Sequence, residues 1–290
     1  MGCSGVWGHL RQETIAAFDH YVQDTEAQMD EDLRTGKFLV LDHWSPRRRD
    51  DMKDQLRHGE LYIQQVHTLE DSLAIHAPHG LIHDWVGMVF IPGATVSKAL
   101  AILRDYDIHH NIYKPEVRQS TLLEQNGNIT KVFMQLYSKS IVTVVLNANF
   151  TVDFKQVTPQ RAETRSRSTR IVELEHPDEP DQRELPPDTG HGFLWRLYSY
   201  WRLEEADGGV YVQVESVALS RAIPWELAWL INPIVHNVSR SYMTRLLTET
   251  RRAVTNPPKP LVSAALPASA YQPPTENDGA RRVTASPPRF

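Results

Sequence analysis

The 290-residue sequence contains one cysteine, Cys3, so no disulfide can form within a single chain. No apolar run approaches the roughly 20 residues of a membrane-spanning helix, and the first residues lack the apolar stretch of a signal peptide. We therefore expect a cytoplasmic protein, with export left open if the start is incomplete. A net charge of −5 gives no concentrated basic face, so no nucleic-acid partner is predicted.

Several motifs of catalysis and cofactor binding are also missing. Neither G-x-G-x-x-G nor G-K-[ST] occurs, which argues against a phosphate-binding loop, and the sequence has no G-x-S-x-G elbow of a serine hydrolase. Histidines cluster in two places without the cysteines or regular carboxylate spacing of a metal site: His76, His79, His83, His109 and His110. The sequence therefore predicts no metal, no cofactor and no catalytic residue.

Three segments differ in pattern along the chain. Residues 1–75 contain a helical stretch at 11–34, a strand candidate at 38–42 and a charged helix, and are predicted to form an accessory extension. Residues 80–254 carry the clearest strand and helix patterns and are predicted to form the main domain. Residues 255–290 contain eight prolines and no periodicity, which predicts a disordered tail.

Strand patterns dominate the middle segment. The strand LIHDWVGMVFIPG ends at Pro92-Gly93 and precedes the helical stretch ATVSKALAILRDY. Six further strand candidates span residues 116–124, 130–139, 141–154, 160–174, 193–204 and 209–221. Asn126-Gly127 joins the first two of these six, because such a pair adopts the positive φ of a tight hairpin turn. The order predicts a seven-stranded antiparallel sheet.

The last element, IPWELAWLINPIVHNVSRSYMTRLLTETRRAV, has a helical pattern. Pro224 suits its first turn, and Pro233 inside it predicts two pieces, 224–232 and 234–254. A sheet with one dry face needs an amphipathic cover, and only this helix is long enough to provide it. We therefore predict an α+β fold in which a curved seven-stranded sheet wraps around a long C-terminal helix and leaves space for a pocket.

Three stretches carry a family resemblance: WVGMVFIPGATVSKALAILRDYD, YSYWRLEEADGGVYVQVESVALSRAIP and SYMTRLLTETRRA. In this order they resemble the START-related helix-grip superfamily, which includes lipid-transfer proteins, polyketide cyclases/dehydratases and coenzyme Q-binding proteins. The resemblance covers residues 80–254 and implies a cavity under the C-terminal helix for a hydrophobic or amphipathic molecule. Because the superfamily shares no catalytic motif, the resemblance assigns no catalytic residue.

Strand alternation predicts the two faces of the hairpin at 193–221. One face is apolar and is expected to look onto the core or cavity. The polar face is predicted to be solvated, and its residues are Arg196, Tyr198, Tyr200, Arg202 and Glu215. With the opposite assignment of faces, these residues would line the pocket as acid, base and anion-binding groups of an enzyme.

The inner face and the facing helix give the predicted ligand-binding residues. They are Trp195, Leu197, Ser199, Trp201, Val212, Val214, Leu146, Phe150, Ser166, Ser168, Arg170, Trp229, Val238 and Tyr242. Large apolar side chains in this set would bury the body of a ligand. Ser166, Ser168 and Arg170 are expected to hold a head group, because small hydroxyl side chains leave room and form hydrogen bonds.

Three functions remain open from the sequence. The favoured one is a non-enzymatic binder or carrier of a lipid, isoprenoid quinone or polyketide-like molecule, exchanged during transient membrane contact. Access would require movement of the loop 104–115 or of the helix near Pro233. A cyclase/dehydratase-type enzyme would need a buried His, Asp, Glu or Tyr with a partner in the same cavity, whereas a protein-interaction domain would have a filled one. The oligomeric state is left open.

Overall fold

The computed structural model describes residues 8–66, 77–139, 142–222 and 225–258, with side chains from residue 238 onward in the last of these segments. Its described helices are Gln12–Arg34 (α1), Pro46–Arg57 (α2), Val96–Arg104 (α3), His109–Ile112 (α4) and Trp225–Thr255 (α5). None of these described helices combines the length and apolar character that a membrane crossing requires. Two short 3₁₀ helices, Val40–His43 and Tyr106–Ile108, lie between them.

The described strands form one antiparallel sheet. They are Tyr62–Gln65 (β1), Gly80–Pro92 (β2), Val117–Asn126 (β3), Ile129–Lys139 (β4), Thr143–Thr158 (β5), Arg161–Glu175 (β6), Arg183–Glu184 (β7), Arg196–Ala206 (β8) and Gly209–Arg221 (β9). Eight of them follow the order β1-β2-β9-β8-β6-β5-β4-β3, and β7 pairs with the end of β6. The predicted α+β helix-grip architecture is confirmed, but the sheet gains β1 and β7 beyond the seven strands expected.

Two local predictions are wrong. The strand expected at 38–42 is a 3₁₀ turn, because the Asp42 carboxylate accepts hydrogen bonds from the backbone N–H groups of Phe38 and Leu39 at 2.8 and 2.9 Å. Pro233 predicts a final helix in two pieces, yet α5 runs through this proline without a break. Proline removes one backbone hydrogen bond, and the apolar residues of the later turns still hold the helix on the sheet.

α5 lies on the inner face of the sheet, where its later turns pack on β2. Met243 and Leu247 are buried there in the main core. At Gly87 the helix comes close to the strand, since a Cβ added at this position would lie 2.8 Å from Leu247 and 3.1 Å from Met243. The helix is therefore seated near the β1-β2 side of the sheet.

α1 covers the opposite, outer face. Phe18, Tyr21, Val22 and Met29 pack with buried residues of β8 and β9, and a second group around α2 covers the outer side of β2. The prediction that the polar face of the hairpin is solvated is therefore wrong, since Tyr200 is 2 % and Arg202 is 4 % exposed. The alternation itself is as predicted, but the N-terminal helix replaces water as the neighbour.

Candidate ligand-binding site

A cavity of about 110 Å³ lies between the inner face and α5. On this scale one water needs roughly 10–15 Å³, so the space exceeds that of a few waters. Helical segments, the connection before β3 and six strands contribute the lining residues. They are Leu103, Tyr106, His109, Tyr113, Glu116, Val117, Val132, Met134, Leu136, Phe150, Phe154, Thr164, Ser166, Leu197, Ser199, Trp201, Val214, Ser216, Tyr242, Arg245, Leu246 and Glu249.

Half of the predicted site residues line this cavity. They are Leu197, Ser199, Trp201, Val214, Phe150, Ser166 and Tyr242. Val212 and Leu146 belong to the same buried core but are not among the lining residues. The structure thus brings most of the predicted inner-face residues around one space, and their role in ligand binding stays a prediction.

Two predicted residues face away from the cavity. Trp195 precedes β8, so strand alternation does not govern it, and its side chain packs in the outer cluster under α1. A β-bulge pairs Asn149 with Arg170 but Phe150 with Ser168, which shifts the alternation of β6 by one residue. Arg170 consequently lies on the outer side, where it forms an ion pair with Glu184.

Three further residues predicted to bind the ligand are not found in the cavity lining. Ser168 is buried and is not among the lining residues of the cavity. Its Oγ accepts a hydrogen bond from the backbone N–H of Leu197 on β8 at 3.0 Å, next to the last β6-β8 pair. Val238 is 39 % exposed, because the buried stripe of α5 passes through Met243 and Leu247. The side chain of Trp229 lies outside the described residues.

The floor of the cavity carries a row of hydroxyls. Ser166 on β6 lies opposite Ser199 on β8, and Ser199 lies opposite Ser216 on β9. All three are half-buried and line the cavity. We call these residues the serine row; Val152 on β5 and Trp85 on β2 are its neighbours at either end.

One wall is an aromatic group built by the connection between α3 and β3. The His109 ring stacks obliquely on Tyr106, with centroids 4.6 Å apart, and meets Tyr113 edge-on at 5.2 Å. The Tyr113 hydroxyl lies 3.1 Å from the Thr250 hydroxyl of α5. This wall was not predicted, although its three rings follow the i, i+3, i+7 spacing of one helix face.

The protonation state of His109 follows from its surroundings. Burial lowers the pKa of His109 to about 4, so the ring is neutral at neutral pH. Its Nε2 lies 3.1 Å from the carbonyl oxygen of Ile102, which can only accept, so Nε2 carries the proton. Nδ1 is therefore a proton acceptor in the cavity wall.

Helix α5 adds Tyr242 and Arg245 to the polar groups of the cavity. Burial raises the pKa of Tyr242 to about 12 and also raises the pKa of Tyr106 and of Tyr113, so the three phenols stay protonated at neutral pH. Arg245 of α5 forms a 2.8 Å ion pair with Glu116, just before β3. This pair ties the helix to the opposite edge of the cavity.

Of the histidines considered for a metal, His76 lies outside the described residues, and the other four do not assemble into one site. His83 lies 2.9 Å from the Ser220 hydroxyl, and His79 pairs with Glu13 on α1 at 3.2 Å. Within the described ranges one group, His176, Glu179 and Asp181, brings ligand atoms within 4.8 Å of one another. That group is exposed and is not part of the cavity lining.

Comparison with known proteins gives likenesses of fold. No family model matches the sequence, and the comparison with curated proteins finds no significant match. A STAR-related lipid transfer protein fragment from Xanthomonas axonopodis is 16% identical, with 67% of this chain and 98% of that chain covered and a TM-score of 0.44. The Zhui aromatase/cyclase from Streptomyces sp. R1128 is 12% identical, with 60% and 94% covered and a TM-score of 0.43. Human STARD10 is 7% identical, with 71% and 79% covered and a TM-score of 0.42.

Proposed function

We propose that this protein binds and carries a hydrophobic small molecule in the cavity between the inner face and α5. The observation that carries the proposal is the cavity itself, about 110 Å³ in volume. Interiors of proteins are normally close-packed, so a space of this size that is lined by both the sheet and the helix favours a binding site over a filled core.

The lining favours an apolar ligand with few polar groups. Leu103, Val132, Met134, Phe150 and Trp201 present apolar surface, and burial of such surface contributes about 25 cal/mol per Å² before the cost of ordering the ligand. The polar groups occupy three separate places: the floor, the aromatic wall and the α5 side. Candidate ligands are a lipid, an isoprenoid quinone or a polyketide-like molecule.

The first test is native mass spectrometry of the purified chain, followed by organic extraction. Val214→Trp would fill the cavity, whereas Thr121→Trp places the same side chain at an exposed position of β3. We expect a bound apolar molecule in the original chain and in the Thr121 variant, and its loss in the Val214 variant, with thermal unfolding as a check of folding. A chain without adduct that also gains none from a panel of lipids and quinones would contradict the proposal.

A second candidate function is supported by the aromatic wall. An enzyme of the cyclase/dehydratase type needs a group in the cavity that accepts a proton. His109 offers an unprotonated Nδ1 there, and its pKa of about 4 makes this nitrogen a weak base. The reaction class is removal of a proton from the carbon next to a carbonyl. The C–H bond breaks, an N–H bond forms, and the electron pair moves into the enolate oxygen, for which a protonated phenol of the wall is a hydrogen-bond donor.

Deuterium exchange tests this second candidate without a known substrate. 2-Tetralone is an apolar ketone with exchangeable protons, and its deuterium uptake in D₂O is followed by NMR. A rate above the buffer blank that His109→Phe abolishes would support the enzyme. The exposed His176→Phe is the matched control. Equal rates in the original chain, both variants and the blank would contradict the enzyme and leave the carrier as the one proposed function.

A further inference from the structure

Two carboxyl groups lie on neighbouring strands under α1. Asp84 of β2 is 4 % exposed, and Glu215 of β9 stands on the same outer face of the sheet. Asp84 lies opposite Val217, two residues from Glu215. The two acids are therefore diagonal neighbours, about 7–8 Å apart at the backbone and within reach of each other through their side chains. We call Asp84 and Glu215 the acid pair.

The acid pair has no cation of its own. The Tyr21 hydroxyl of α1 donates a hydrogen bond to Oδ2 of Asp84 at 2.5 Å, while Oδ1 has no hydrogen-bond partner among the described residues. Within the same part of the chain neither acid forms an ion pair, and Arg202 lies 3.7 Å from the Asp32 carboxylate of α1 instead. Because a buried carboxylate without a compensating charge is costly, charge on both members of the pair at once is unfavourable.

The titratable and charged groups around the acid pair come from every element packed against it. They are Tyr21, Glu26 and Asp32 of α1, His43 of the 3₁₀ helix Val40–His43, Lys155 of β5, Glu163, Arg165 and Arg167 of β6, and Tyr200 and Arg202 of β8. The cations of this set lie beside its other carboxylates: Glu163 is 3.4 Å from Lys155 and 3.6 Å from Arg165. A retained proton therefore lowers the charge of the acid pair where these cations do not.

Burial and mutual repulsion both favour that proton. Burial raises the pKa of Asp84 well above its usual range, and the charge of Glu215 adds to the rise. Burial also raises the pKa of Glu215 to about 7, although Arg202 lowers it in part. A solvated glutamate has a pKa of about 4.3. The docked state of α1 therefore keeps a proton that the same carboxyls release once water reaches them.

We propose that the acid pair is a proton-dependent latch, which keeps α1 docked while it holds a proton and releases the helix from the sheet when both carboxyls are charged. Release admits water to the pair and uncovers the apolar outer side of β8 and β9, including Val217 and Leu219. Opening sets free about one proton, so the open fraction is lowest below about pH 4.5 and rises as the pH climbs through about 7. The inference is independent of the ligand proposed for the cavity, because α1 covers the opposite face of the sheet.

Thiol labelling measures the opening of α1. In a Cys3→Ser background, Val22→Cys places a thiol on the buried side of α1, Ala27→Cys on its exposed side and Val212→Cys in the main core. Each variant is labelled with 4,4′-dithiodipyridine from pH 5 to pH 8. Division of each rate by that of the Ala27 variant cancels the ionisation of the thiol and gives the open fraction. We expect the value for Val22 to rise about tenfold per pH unit between pH 5 and 7, and to exceed that for Val212 at least about tenfold throughout.

Removal of the two charges should abolish the pH dependence. Asp84→Asn with Glu215→Gln keeps the shape of the pair and should make the Val22 value independent of pH. The matched control is Asp24→Asn with Glu31→Gln, which neutralises two exposed acids of α1 and should keep the full rise. Circular dichroism at pH 5 checks that each variant is folded.

Three results would overturn the latch. They are a Val22 value that does not change with pH in the original acid pair, equal values for Val22 and Val212, which would mean that α1 opens only with the whole domain, and a full rise that persists in the folded double variant. The first two readouts leave the acid pair unaltered, so they decide the matter even if the double variant does not fold.

Discussion

The inner and outer faces of the sheet are each covered by a helix, but the two covers fit differently. On the outer face α1 packs directly on the strands, and large side chains such as Tyr200 and Arg202 reach into the contact. On the inner face α5 touches β2 at Gly87, while a cavity of about 110 Å³ lies over β5, β6 and β8.

The difference arises from alternating residues of the same strands. Along β8, Tyr198, Tyr200 and Arg202 point outward, whereas Leu197 and Ser199 point inward. Large outward side chains fill the space under α1, whereas the inward face carries the small Ser199 between Leu197 and Trp201, which leaves space above the middle of the strand. One strand therefore supplies a close-packed contact on one side and the floor of a binding site on the other.

The largest effect should come from the outer face. Arg202 donates hydrogen bonds to the carbonyls of Phe38 and Met29 and lies 3.7 Å from the Asp32 carboxylate. Arg202→Ala leaves these buried acceptors unpaired and should lower the free energy of unfolding by about 3–5 kcal/mol. Urea unfolding measures this loss. The control is Arg167→Ala, which removes an exposed ion pair and should lower the free energy of unfolding by less than about 1 kcal/mol. Equal losses would show that the outer contact does not depend on its buried charges.

The next largest effect is a pH dependence of stability that arises from Glu215 on the outer face. Burial raises the pKa of Glu215 to about 7, and Arg202 offsets part of that rise. The folded state then holds a proton that the unfolded chain, with a Glu pKa near 4.3, releases. Stability is therefore highest below about pH 4.5 for this group and falls as the pH rises through about 7.

Glu215→Gln removes this titration. The free energy of unfolding of this variant should equal that of the original chain at pH 4.5 and exceed it by about 2–3 kcal/mol at pH 8. Urea unfolding at both pH values measures the difference, and ligand affinity should stay constant because Glu215 lies on the outer face. A difference independent of pH would mean that Glu215 is not the titrating group.

The smallest effect separates two serines of the inner face. Ser168→Ala leaves the backbone N–H of Leu197 without its acceptor and should cost about 1–2 kcal/mol. Ser199→Ala removes a hydroxyl that has no bond to a described residue and should change stability by less than about 0.5 kcal/mol. Thermal unfolding compares the two variants. The reverse order would show that the serine row is structural.

Much of this comparison was predictable. Period-two alternation placed Leu197, Ser199 and Trp201 on one face, and the length of the final helix identified the cover. The errors came from features that alternation does not encode. The bulge opposite Asn149 turned Arg170 outward, and Trp195 lies before its strand begins. The aromatic wall around His109 shows the i, i+3, i+7 spacing of a helix face, but the connection that carries it is too short for that spacing to predict a helix.

The sequence by itself determined the order of elements, the seven principal strands and the inward set of small and apolar residues, because these depend on local periodicity and turn chemistry. Only the tertiary structure decided what each face meets. The sequence does not encode directly that α1 lies on the outer face, that α5 is seated at Gly87 or that three serines align across β6, β8 and β9. These features depend on strand register and on contacts between residues far apart in the chain.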